Sequence, residues 1–78
     1  MIKILILNIT VIEHILKCII IGDNGETYHM TCDINTKYFN TISSDIPEEF
    51  KMYERQARMA LFEYKGKTFP KEIEYVWD

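Results

Sequence analysis

The segment Gly22-Asp23-Asn24-Gly25-Glu26 constrains this chain more than any other. It separates two strand-like runs, and such a turn folds them back on each other as an antiparallel hairpin. The glycines suggest a register. With Asp23-Asn24-Gly25 as a three-residue loop and Gly25 left-handed, Gly22 faces Glu26. Ile20 then faces Tyr28, Cys18 faces Met30, and Leu16 faces Cys32. All apolar residues of the second strand fall on one face. A two-residue Asn-Gly loop would shift the pairing by one and set Lys17 beside Cys32. A one-residue slip turns every side chain to the other face, so the apolar pattern selects the longer loop. The opposite face carries Lys17, Thr27, His29 and Thr31, but also Ile19 and Ile21, which need a cover.

Before the hairpin, Ile2 to Ile21 is dominated by β-branched residues and reads as strand. Asn8 and Glu13-His14 are candidate bends. Glu13-His14 makes a poor two-residue turn, because such turns want positive φ at both positions. One bent strand, or two strands joined near Asn8 or Glu13, fit equally well. After Cys32 comes a polar stretch, Asp33 to Asp45, with Tyr38, Phe39 and Ile42 as its expected anchors.

A helix is expected next. Asp45-Ile46-Pro47-Glu48 matches a capping box with proline in the first turn, although Ile46 could serve as the cap instead. At roughly 100° per residue, Phe50, Tyr53, Ala57, Ala60, Leu61 and Tyr64 share one stripe, which is the core face. Gly66 closes the helix between Lys65 and Lys67. Lys71 to Trp77 alternates as a final strand, just after Pro70. The expected fold is α+β: a small antiparallel sheet of N-terminal strands, hairpin and C-terminal strand, with one main helix on one face.

The chain has 78 residues, enough for a single domain spanning 1–78 near the lower size limit for unaided folding. Its 47% hydrophobic and 27% charged residues describe a globular domain rather than a disordered one. A chain this short has little room for both a core and a deep catalytic pocket. The many Ile, Lys, Asn and Tyr residues suggest an AT-rich coding sequence, as in a low-GC bacterium, a phage or a mobile element. No cleavage site follows the apolar N-terminus. Asn8, Thr10, Glu13, His14 and Lys17 interrupt it, so neither a signal peptide nor a membrane span is expected. The expected location is the cytoplasm.

No chemistry-bearing motif stands out. His14, Cys18, His29 and Cys32 have metal-ligating side chains, yet His14 and Cys18 are about 13 Å apart on an extended strand. One zinc ion cannot bridge that span. In the preferred register Cys18 and Cys32 are diagonal, at about 7–8 Å, beyond normal disulfide reach. Cys32 also points away from His29 and Asp33, which leaves no nucleophile with a base. Neither a phosphate-binding glycine loop nor a nucleophile elbow is present. We therefore expect a non-enzymatic protein with no cofactor and no metal.

The remaining signal is surplus apolar surface. Met52, Met59 and Phe62 gather on the far side of the helix, with Lys51, Arg55 and Arg58 around them. Exposed Met, Phe and arginine together suit a contact surface. The plain alternative is that Asp33–Asp45 folds over this side, or that scattered apolar residues simply sit exposed. We expect a self-associating interaction module, with Ile19, Ile21, Met52, Arg55, Met59 and Phe62 as candidate contact residues. The alternative is a nucleic-acid-binding accessory protein using the basic helix face. The net charge of −3 weighs against it, as do seven acids against six bases from Pro47 onward.

Overall fold

Gly25 adopts φ = 81°, and its N–H donates to the Gly22 carbonyl at 2.9 Å. The Gly22 N–H donates to Glu26 O at 2.9 Å, so the loop has the three residues expected. The register follows: Leu16 opposes Cys32, Cys18 opposes Met30, and Ile20 opposes Tyr28. The computed structural model describes all 78 residues. It contains β1 (Ile2–Ile12), β2 (Ile15–Ile21), β3 (Thr27–Asp33), β4 (Asn40–Ser44), helix α1 (Lys51–Phe62) and β5 (Ile73–Trp77). The strands form one antiparallel sheet in the order β4-β3-β2-β1-β5. Helix α1 packs on one face, giving the α+β fold.

Both candidate bends in the first twenty residues are used, in different ways. Asn8 has φ = 52° and sits in a bulge, where pairing steps from Leu7–Ile19 to Thr10–Lys17. Asparagine tolerates this left-handed geometry better than most residues. The extra residue moves the core face from Ile4 and Ile6 to Ile9. Glu13-His14 is the hairpin turn after all, with Ile12 opposite Ile15. Glu13 alone of the two has positive φ, at 57°. The requirement for positive φ at both positions was too strict, since one residue carries the reversal.

The polar stretch holds a strand that its composition hides. β4 is Asn-Thr-Ile-Ser-Ser, in which only Thr41 and Ile42 favour strand, and pairing with β3 carries the rest. Its anchors also differ from expectation. Phe39 and Ile46 are buried, whereas Tyr38 and Ile42 are exposed. Ile42 is the extra residue where the β3–β4 register slips.

The helix begins later than its capping box suggested. The Asp45 carboxylate instead accepts the His29 backbone N–H at 2.7 Å and lies 2.9 Å from His29 Nδ1. Ile46, extended before proline, buries its side chain in the core. Pro47, with ψ = 160°, then leads into a 3-10 turn at Glu48–Phe50. Tyr53, Ala57, Ala60 and Leu61 form the buried face. The two alanines, both fully buried, allow the close approach to the sheet. Tyr64 falls beyond the helix, half-buried against Phe69. Tighter turns end the element, and Gly66 reverses the chain at φ = 77°.

Gly22 is required for a second reason. A Cβ there would stand 2.6 Å from the Tyr53 ring. Tyr53 cannot easily move, because it stacks on Phe50 at 5.6 Å and its hydroxyl accepts the Asn24 N–H at 3.2 Å. Asn24 Nδ2 also donates to the Tyr28 hydroxyl at 3.0 Å. The hairpin loop is thereby tied to the helix.

Candidate functional site

Two surfaces remain after the core is accounted for. The first is the sheet face that α1 does not cover. Successive residues of a strand point to opposite faces, so the face opposite Ile4, Ile6 and Ile20 belongs to Leu5, Leu7, Ile19 and Ile21. Leu5 pairs with Ile21 and Leu7 with Ile19, placing four large apolar side chains side by side at the sheet centre. All four are half-buried, shielded by one another and by their strand neighbours. Val76 lies on the same face at the β5 side, across from Lys3, and is exposed. Around them stand Glu74, opposite Leu5, and His29, opposite Ile19. Helix α1 packs on the opposite face, while on this one Glu72 and Glu74 border Leu5 and Leu7. Ile19 and Ile21 thus have the uncovered position that the hairpin register implied.

The second surface is a groove of about 760 Å³ between α1 and the chain entering β4. Tyr38, Phe39, Asn40 and Thr41 line one side, and Arg55, Arg58, Met59 and Phe62 the other. Arg55 and Met59 are exposed here. Phe62 is not. It is half-buried, with Phe39 edge-on at 5.2 Å, Tyr38 at 5.9 Å and Lys65 Nζ over its ring at 5.3 Å. The Asp33–Asp45 segment therefore covers part of the far side of the helix, as the plain alternative held. Met52 is exposed but lies outside the groove. The candidate contact residues accordingly separate into the pair Ile19/Ile21, the group Arg55/Met59/Phe62, and Met52 by itself.

The helix cations are unequal. Arg58 donates to Thr41 Oγ1 at 2.6 Å and to Glu54 at 3.1 Å. Lys51 reaches Glu54 at 3.2 Å, and Lys65 donates to the Lys37 carbonyl at 2.9 Å. Burial alone would raise the Glu54 pKa. The Ser44 hydroxyl, Lys51 and Arg58 outweigh burial and hold it below the usual carboxylate range. Arg55 makes no hydrogen bond or ion pair.

The thiols are free and buried on the core face. Burial pushes Cys18 up to about 12, with Cys32 adding to the rise. Burial likewise pushes Cys32 up to about 11, with Arg58 opposing and Glu54 reinforcing. Neither carries appreciable thiolate at neutral pH, the form a nucleophile or metal ligand needs. No three His, Cys, Asp or Glu side chains converge on a point that could hold a metal. No helix is long and apolar enough to cross a membrane.

Comparisons with protein-family models, with curated proteins and with solved structures find nothing that matches this chain. Two residues of the central patch, Leu5 and Leu7, were absent from the sequence candidates. Their signal was the β1–β2 pairing, which could not be drawn until the Glu13-His14 turn was placed.

Proposed function

We propose that this protein is a non-enzymatic interaction module that pairs with a second copy of itself through the uncovered sheet face. The observation that carries this is the apolar quartet Leu5, Leu7, Ile19 and Ile21 at the centre of the face opposite α1. Sheets with one apolar outer face commonly pack on another sheet at about 10 Å. Five strands about 4.8 Å apart, each about 20 Å long, outline a face of about 480 Å², below the roughly 800 Å² per partner of a standard interface, so the pairing is expected to be weak and concentration-dependent. A two-fold axis would bring the quartet against itself, the ordinary arrangement of a homodimer. Two raised, buried thiols and the lack of a paired nucleophile and base support the non-enzymatic part. A reducing cytoplasm suits two unbridged cysteines.

Sedimentation equilibrium over a concentration series tests the proposal. The expected result is a monomer–dimer equilibrium abolished by Ile19→Lys, with native circular dichroism retained. A monomer at every concentration, or a dimer indifferent to both Ile19→Lys and Leu7→Lys, would sink it.

A further inference from the structure

The two edges of the sheet are built differently. Edge strands expose unpaired backbone donors and acceptors, and most proteins guard them with charge or proline. The β5 edge is guarded: Pro70, Lys71, Glu72, Glu74 and Asp78 lie in or beside it. The β4 edge is not. Asn40-Thr41-Ile42-Ser43-Ser44 contains no charge and no proline, and its single bulge leaves Ile42 exposed. The groove begins where β4 begins, since Asn40 and Thr41 belong to both.

We infer that the open β4 edge and the adjoining groove bind an extended acidic segment of another protein by strand addition. In this mode main-chain hydrogen bonds supply affinity, while alternate side chains enter a flanking groove. The α1 wall offers Met59 and Phe62 to a bulky apolar side chain. Charge selects the rest of the ligand. Arg55 has no carboxylate partner, and Lys37 and Lys65 stand at the Tyr38–Phe62 end with theirs unfilled. The carboxylates nearby are already engaged: Glu54 is shared between Lys51 and Arg58, Asp45 is held by His29, and Asp33, opposite Asn40, accepts the Asn35 N–H, while the charged residues lining the groove itself are Arg55 and Arg58. The groove is thus locally cationic on a protein whose net charge is −3. This surface is separate from the self-association face, so either can fail alone.

The test uses the full chain and a fluorescent extended peptide with glutamate and phenylalanine at alternate groove-side positions. A matched peptide carries lysine for glutamate. We expect the glutamate peptide to bind and to slow amide exchange at residues 40–44. Arg55→Glu should weaken it about tenfold and favour the lysine peptide. Arg55 is exposed, so the substitution leaves the core intact, and Met59→Glu provides a second exposed probe of the same wall. Equal binding of both peptides, or protection that appears on β5 or the uncovered face instead, overturns the inference. So does a single-stranded oligonucleotide that outcompetes the peptide at residues 40–44. Protection of β4 by added protein alone would make the occupant a second copy, and would also overturn it.

Discussion

Along the central strands, neighbouring residues of the same kind have opposite surroundings. On one face, Ile4, Ile6, Leu16 and Ile20 are completely removed from solvent beneath α1. On the other, Leu5, Leu7, Ile19 and Ile21 are half-buried on the side away from α1. Composition does not distinguish the two sets. The helix does, because its Ala57 and Ala60 let it lie against one face and the chain supplies no second helix for the other. Apolar content beyond the needs of one core is therefore a property of this sheet, located on one side of it.

The largest effect should come from exchanging the faces by substitution. Ile20→Ala should lose about 2–5 kcal/mol, because a fully buried side chain leaves a cavity in a close-packed core. That approaches the whole stability of a domain this small, roughly 3–5 kcal/mol. Ile21→Ala should lose under about 1 kcal/mol in dilute solution. Urea titrations at two protein concentrations sharpen the contrast. If the uncovered face is buried in a dimer, the cost of Ile21→Ala grows with concentration while that of Ile20→Ala keeps its size. Equal losses at both sites in dilute protein would break the distinction between the faces.

Next in size is Gly22→Ala, at about 1–3 kcal/mol, from the collision with the pinned Tyr53 ring. Pairing it with Tyr53→Leu in a double-mutant cycle checks the origin, since the alanine should cost much less once the ring is gone.

The smallest effects belong to two carboxylates near β4. The His29 backbone N–H is the main reason that Asp45 is held below the usual carboxylate range, with burial opposing and the His29 side chain assisting. Glu54 is also lowered, as described above. Both folded values lie below the unfolded ones. Their stabilisation is fully present above the ordinary carboxylate pKa of about 4 and is lost as pH falls through the folded values. Urea midpoints should therefore drop on acidification. Glu54→Gln should flatten that drop more than Asp45→Asn, because its side chain is 13% exposed against 55% for Asp45. The reverse order would refute this assignment.

The hairpin was legible because a single local device, the Gly25 turn, sets the pairing of every residue from Leu16 to Cys32. The helix core stripe was legible from its period. Strand β4 was not, since only Thr41 and Ile42 of its five residues favour strand, and Asn40, Ser43 and Ser44 follow β3 by pairing. The helix start was misjudged because Asp45 had a competing donor, His29, sixteen residues upstream. The same limit applied to the surfaces. Ile19 and Ile21 could be placed on an outer face from the hairpin alone, but the groove needs Tyr38 and Phe39 to meet Phe62, which no periodicity encodes.

One pairing has a kinetic consequence. Strands β1 to β4 join in sequence, each to the next across a short connection. Strand β5 instead pairs with β1, from Ile6–Ile73 to Ile2–Trp77. Closing a loop that long costs about 2–3 kcal/mol more than closing a hairpin of a few residues, at about 0.6 kcal/mol per doubling. Contacts so distant along the chain form slowly. The meander and helix are thus expected to assemble first, with β5 as the latch that arrives last. Until it does, the fully apolar core residues Ile4 and Ile6 sit on an edge strand, and this brief interval is when the nascent fold is most open to pairing with the wrong chain.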